Sequence, residues 1–140
     1  MVYPRAHLLG CSTAGEICGT QVTDDSLIAT AVHFEHTRLF GARIKIGEID
    51  SSFSAGEYLA KSLDKKGLAH VLVLSDGLKV NGSDLVKGVT KHLPTEITVT
   101  GGLSGDGERP VALQSTPQTP RLQYYTERVR LFSCWRCISR

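Results

Sequence analysis

The chain has 140 residues, of which 41% are hydrophobic and 21% charged, and its formal net charge is +2. This length favours one domain, and the longest purely apolar run, Val71–Leu74, is far too short to span a membrane. The net positive charge comes from the end of the chain, since residues 1–107 carry 10 Lys and Arg against 12 Asp and Glu. This distribution argues against a nucleic-acid-binding surface.

The first part of the chain is predicted to contain three strands. A short strand over Ala6–Leu9 runs into Gly10, and the β-favouring segments Ser26–Phe34 and Leu39–Ile46 follow it. The polar residues Glu35–Arg38 are typical of a turn. We therefore expect the second and third strands to form an antiparallel pair.

The first helix is predicted from its start and stop signals. Ser54 and Glu57 have the spacing of a capping box, and Leu59 and Leu63 lie one turn apart on one face. Gly67 is a suitable stop just past the end.

A strand, a helix and a strand are predicted next. Leu68–Leu74 is almost continuously apolar, the pattern of a strand covered on both faces. Ser83–Leu93 has a helical apolar stripe closed by Pro94, and Ile97–Thr100 is the last short strand. The order β-β-β-α-β-α-β predicts a mixed α/β fold with two helices packed on a mixed sheet and a right-handed parallel crossover at its end.

The composition changes after Gly107. No glycine occurs in residues 108–140, three of the five prolines fall there, and every basic residue is Arg. No period of 2 or 3.6 is evident over Pro110–Arg140. We expect residues 1–107 to form the domain and residues 108–140 an irregular tail, either disordered or foreign to the domain, and the abrupt change favours a foreign, frameshifted end.

The cysteine content and the N-terminal sequence favour a cytoplasmic location for the protein. Cys11 and Cys18 lie far along the chain from Cys134 and Cys137, and this spacing is not typical of a disulfide framework. The second pair has redox or metal spacing but no second ligand pair, so we expect no metal site. Met1–Gly10 lacks the apolar stretch of a signal peptide.

Three glycine-rich loops follow predicted strands: Gly10–Glu16, Ser75–Gly77 and Gly101–Gly107. Backbone N–H groups and hydroxyls in such loops can hold an anionic group, and the carboxyl ends of strands are the usual ligand side of an open α/β sheet. The candidate ligand-binding residues are Cys11, Ser12, Thr13, Glu16, Ser75, Asp76, Gly102, Ser104 and Asp106.

Each loop also has a purely structural interpretation. Glycine lets the chain reverse, Asp76 can bond its own backbone, and Asp106 can be a solvated loop residue. Glu16 can hold a ligand amino group or cap a local backbone donor. Neither a dinucleotide fingerprint in its strand–loop–helix context nor a Walker loop is present.

Two further chemistries stay open from the residues. Cys11 is a candidate nucleophile, with His33 or His36 as its base. A haem would need an axial ligand, for which there are five histidines, His7, His33, His36, His70 and His92. His70 lies within a buried-looking strand, which favours a core histidine with its hydrogen bonds satisfied.

Three segments, His7–Ile17, Val71–Leu78 and Thr100–Gly107, together resemble the N-terminal FIST domain, named for F-box and intracellular signal transduction proteins. The resemblance covers roughly residues 5–107. It implies a non-catalytic sensory domain that binds a small ligand, with amino acids proposed, and that serves a signalling partner such as a histidine kinase or chemoreceptor.

The resemblance also implies alternatives. Some family members are haem proteins that sense nitric oxide, and we otherwise expect no cofactor. Family domains have a further strand and helix before the first segment and more strands after the third, so we expect a truncated member. A thiol-dependent enzyme using Cys11 and a non-functional fragment are the remaining hypotheses.

Overall fold

Two α-helices pack against a four-stranded sheet in the computed structural model, which describes residues 7–24, 26–105, 113–116 and 128–136. Within these residues, neither helix has the length and apolar character needed to cross a membrane. The mixed α/β class predicted from the sequence is confirmed. The helices are α1 (Ser52–Ser62) and α2 (Gly82–Lys91), and the strands are β1 (Leu8–Cys11), β2 (Glu16–Cys18), β3 (Gln21–Thr23), β4 (Thr37–Lys45), β5 (Leu68–Asp76), β6 (Thr98–Ser104), β7 (Leu113–Thr116) and β8 (Arg128–Arg136).

The main sheet has the strand order β4-β8-β5-β6. Strands β5 and β6 are parallel and are connected through α2, as the sequence predicts. Strand β8 is antiparallel to both of its neighbours, with Arg130 opposite Arg43 of β4 and Leu131 opposite Val73 of β5. Two small antiparallel pairs, β1 with β7 and β2 with β3, lie outside this sheet.

The prediction of a strand over Ser26–Phe34 is wrong. This segment has no strand, its apolar side chains are exposed, with Leu27 84% and Val32 66% accessible, and the antiparallel partner of β4 is β8 instead. The preference of β-branched residues for strands reflects packing on a half-buried pleated surface. The described residues offer this segment no such surface, so its composition does not decide its conformation.

The irregular tail predicted after Gly107 also differs from the structure, because β7 and β8 lie within it. The backbone hydrogen bonds that β8 forms with β4 and β5 do not depend on side-chain pattern, and both partners lie far away along the chain. The sequence of residues 128–136 alone therefore did not indicate this strand. The boundary at residue 107 and the foreign origin of the segment stay predictions.

Strand β5 was predicted to be covered on both faces, and this is wrong. Val71, Val73 and Ser75 are buried on the side that faces the helices, whereas on the other face Leu72 is exposed and His70 and Leu74 are half-buried. The reason is that both helices belong to one core cluster on a single side of the sheet. The sheet is therefore one-sided within the described residues.

Capping residues fix where the helices begin. Ser51 is the N-cap of α1, and its hydroxyl accepts a hydrogen bond of 3.1 Å from the Ser54 N–H. The predicted box of Ser54 with Glu57 is thus wrong, because a serine one turn earlier caps the helix. Asn81 caps α2 in the same way. The predicted stripe of α2 is confirmed, since Leu85, Val89 and Leu93 are all buried.

The two helices approach each other at a pair of glycines. A Cβ placed on Gly88 would overlap the carbonyl oxygen of Phe53, and a Cβ on Gly56 would overlap that of Leu85. Beside this contact, Glu57 Oε1 accepts hydrogen bonds from Lys91 Nζ at 2.9 Å and from His92 Nε2 at 2.8 Å. Close backbone packing and one carboxylate thus join α1 to α2.

The Glu57 carboxylate predicts a pH dependence of stability. Hydrogen bonds from Lys91 and then His92 lower the pKa of Glu57 to about 2. A carboxyl whose pKa is depressed in the folded state stabilises the fold above its unfolded-state pKa, and that contribution is lost as pH falls through the folded-state pKa. We expect Glu57→Gln to be less stable than the wild type at neutral pH, and the difference to shrink between about pH 4.5 and pH 2.

Urea denaturation over a pH series measures this difference. The matched control is Glu48→Gln, because Glu48 is an exposed carboxyl outside the helix contact. It should leave the pH profile of the wild type unchanged. A stability difference for Glu57→Gln that stays constant down to pH 2 would contradict the assignment.

Candidate functional site

The second and third glycine-rich segments meet where β5 and β6 end. In the parallel register Asp76 lies opposite Ser104, and Ser104 Oγ donates a hydrogen bond of 2.9 Å to the Ser75 carbonyl oxygen. The Gly77 N–H donates to the Ser104 carbonyl oxygen at 3.0 Å. The structure therefore brings together three predicted site residues, Ser75, Asp76 and Ser104, all of them buried. Their role as ligand contacts stays a prediction.

Gly77 permits this close approach. A Cβ at this position would overlap the carbonyl oxygen of Ser104, so a side chain would separate the two strand ends. Glycine is required here by proximity to a neighbouring backbone.

Asp76 stabilises the turn that leaves β5. Its Oδ1 accepts hydrogen bonds from the backbone N–H groups of Leu78 at 2.8 Å and Lys79 at 3.1 Å. Of the two interpretations open from the sequence, bonding to its own backbone is therefore present. This geometry explains why an acidic side chain is only 3% exposed.

The third segment is a strand over much of its length, and not a loop from Gly101 onward as predicted. Gly101 and Gly102 pair with Val73 and Leu74, and β6 continues to Ser104. The glycines suggested a loop, but the parallel pairing with β5 makes them part of a strand. Asp106 lies outside the described residues.

The first segment has its own hydrogen-bond network. Thr13 Oγ1 donates to Glu16 Oε1 at 2.6 Å, and Ser26 donates to Glu16 Oε2 from its hydroxyl at 2.8 Å and its backbone N–H at 3.3 Å. The bonds from Thr13 and then Ser26 lower the pKa of Glu16. Glu16 thus bonds local donors, the second of its two sequence-based interpretations. Cys11 ends β1, and Ser12 follows it.

The described residues give no geometric support to a Cys11 nucleophile or to a histidine ligand for haem. Burial raises the pKa of the Cys11 thiol, whereas an activated cysteine nucleophile needs a lowered pKa. His33 and His36, its candidate bases, are exposed. His70 Nε2 lies 2.8 Å from Thr100 Oγ1, but the prediction of a core histidine is wrong, because His70 is only half-buried and lies outside the core cluster. Cys137 lies outside the described residues.

A cleft of about 510 Å³ lies between α2 and the helix-facing side of β5 and β6. None of the described residues that line it carries a charge. Sequence reasoning missed this cleft, although the apolar residues of β6 and of α2 were visible, because it is formed only by their packing. Its walls include Val73, Leu85, Val86, Val99 and Leu103, and Ser75 lies at its floor.

The floor of the cleft holds a polar group without a partner. Ser75 Oγ is inaccessible to solvent and has no hydrogen-bond partner among the described residues. Buried hydroxyls are nearly always paired, so this atom requires an explanation. Val86 and Leu103 are 48% and 52% exposed and form the outer edge of the cleft.

The chain matches a known protein family. A family model described as the FIST N domain matches residues 1–130, which is nearly the whole chain and extends past Gly107. No curated protein matches the chain.

Proposed function

This chain belongs to the FIST N domain family, a family of signal transduction sensory domains, and we propose that it is a non-catalytic sensor that binds a small molecule beside the carboxyl ends of β5 and β6. The observation that carries the proposal is the cleft under α2, whose volume of about 510 Å³ is within the range of small-molecule sites. Its floor contains Ser75, in the second of the three family-like segments. Ligands of open α/β sheets bind at this end of the strands.

The position of the cleft suggests how binding is transmitted. Its walls come from α2 on one side and from β5 and β6 on the other. A ligand that contacts both sides binds more tightly at one spacing between helix and sheet. It shifts the protein toward that spacing by an amount set by the difference between its affinities for the two arrangements. We propose that a signalling partner, such as a histidine kinase or chemoreceptor, responds to this spacing.

Thermal unfolding of the full chain against a library of amino acids and other small metabolites tests the proposal. A true ligand at 100 times its Kd stabilises the fold by about 2.7 kcal/mol. We expect at least one compound to raise the melting temperature by the corresponding amount. A library without any such compound would count against a sensory role at this cleft.

A variant at the edge of the cleft locates the binding. Val86→Phe places a larger side chain at the opening and should abolish the ligand-induced shift. The matched control is Val22→Phe in the β2–β3 hairpin, another exposed valine at 71% accessibility, which should retain the shift. Equal responses of the two variants would place the ligand elsewhere.

A further inference from the structure

We propose that two copies of this chain assemble by strand addition, in which residues 27–34 of each copy pair with the open edge of β6 in the other copy. Extended segments commonly bind proteins in this way, through backbone hydrogen bonds to an exposed sheet edge. Two reciprocal contacts of the same kind form a closed, symmetric dimer. The inference goes beyond the proposed function, because it concerns a protein partner and does not depend on the small molecule.

The first observation is that β6 is an edge strand without protecting charges. It pairs with β5 on one side and with no described strand on the other. Edge strands have unpaired backbone groups, and proteins commonly protect them with charged side chains. The opposite edge, β4, has the exposed Arg38, Arg43 and Lys45, whereas no residue of β6 is charged. The edge of β6 is therefore the one suited to accept a further strand.

The second observation is that residues 27–34 have the composition of a strand but pair with no strand in the described part of the chain. Every one of these residues is exposed, and none is Gly, Pro, Asp, Glu, Lys or Arg. In an extended chain, alternate side chains share one face. One such face here contains β-branched and aromatic side chains, which strands favour when they pack on a sheet: Ile28, Thr30, Val32 and Phe34.

The connection to β4 decides between the same copy and a second one. Only two residues join Phe34 to Thr37, where β4 begins, and three extended peptide links reach about 11 Å. A position beyond β6 lies four strand spacings from β4, because the order is β4-β8-β5-β6, and this amounts to about 19 Å. The whole segment therefore reaches β6 only from another copy of the chain.

The surroundings of the β6 edge match the apolar face of the segment. Leu103 lies opposite Ser75 in the parallel register, so its side chain is on the side of the sheet that faces the helices. It is 52% exposed and lies with the half-exposed Val86 at the outer edge of the cleft. A strand added beside β6, with Val32 and its apolar neighbours toward α2, removes these side chains from water and stabilises the pair.

Sedimentation equilibrium of the full chain tests the assembly. A reductant is included, because the exposed Cys18 thiol could otherwise cross-link two copies. We expect an equilibrium between monomer and dimer that shifts toward the dimer as the concentration rises. A chain that stays monomeric up to about 1 mM would overturn the inference.

A matched pair of valine variants tests the role of the segment. Val32 is 66% exposed within one copy, so Val32→Lys should fold as the wild type does. It places a charge in both contacts of the dimer and should raise the dimer Kd about tenfold or more. The control is Val22→Lys in the β2–β3 hairpin, which should keep the wild-type Kd. Equal dimer Kd values for the two variants would overturn the inference.

A variant of β6 tests the role of the edge. Leu103→Lys gives β6 a charge of the kind that β4 has, and it should weaken the dimer as Val32→Lys does. Thr100→Lys, an exposed position of the same strand, supplies this test if Leu103→Lys does not fold. Weakening by the β6 variant alone would indicate pairing between two β6 strands, and weakening by Val32→Lys alone would indicate pairing between two segments. Either result would overturn the inference.

A mixture of the two lysine variants tests the pairing of segment with edge directly. The Val32→Lys copy retains an intact β6 edge, and the Leu103→Lys copy retains an intact segment. We expect the mixture to form a heterodimer through this one contact, more weakly than the wild type but more strongly than either variant alone. A mixture that associates no more than its separate components would contradict the proposed pairing.

Discussion

Replacing Gly88 with alanine is expected to lower the free energy of unfolding by about 3 kcal/mol. The added methyl group would overlap the Phe53 carbonyl oxygen and lie 3.0 Å from the Glu57 N–H nitrogen, both of them backbone atoms of α1. Backbone cannot move aside as a flexible side chain does, so α1 and α2 must separate. This loss exceeds the gain of about 1 kcal/mol that alanine brings to a helix interior.

Urea denaturation gives the free energy of unfolding of Gly88→Ala and of its control. Gly47→Ala is the matched control, because nothing lies within 4 Å of a Cβ at Gly47. We expect its stability to stay within about 0.5 kcal/mol of the wild type. If Gly88→Ala were as stable as Gly47→Ala, the helices would not be in the contact described.

Replacing Asp76 with alanine should lower the free energy of unfolding by about 2 to 3 kcal/mol. The carboxylate accepts hydrogen bonds from two backbone N–H groups, those of Leu78 and Lys79, in the turn that follows β5. Alanine would leave both donors without an acceptor next to a buried strand end. We also expect weaker ligand binding, because the turn positions Ser75 and Gly77.

Asp76→Asn separates the structural role from a role of charge. Its side-chain oxygen can accept the same two hydrogen bonds, so most of the stability should return when measured by urea denaturation. If a ligand found by screening bound this variant as it binds the wild type, the negative charge would have no part in recognition. A large loss of stability in the asparagine variant would show that the turn depends on the charge itself.

The central elements of the fold were predictable from the sequence. The apolar stripe of α2, the continuous apolar run of β5 and the glycines after them follow from local rules of periodicity and chain termination, and all lie close together along the chain. The parallel pairing of β5 and β6 followed from their order.

The remaining features depend on contacts between distant parts of the chain. Ser26–Phe34 has the composition of a strand but pairs with no strand among the described residues. Strand β8 lies in a segment of unusual composition, yet it pairs with a strand on each side. The cleft and the unpaired hydroxyl of Ser75 arise only when α2 packs over β5 and β6. The sequence left open whether Asp76 bonds its own backbone, and the geometry of the turn shows that it does.

The insertion of β8 between β4 and β5 has a consequence during protein synthesis. Arg43 of β4 pairs with Arg130, and Val73 of β5 pairs with Leu131, so both pairings can form only after residues 128–136 have left the ribosome. Until then the facing edges of β4 and β5 have unpaired backbone groups, which can pair with other strands. Such high contact order slows folding, and the nascent chain is therefore expected to depend on chaperones.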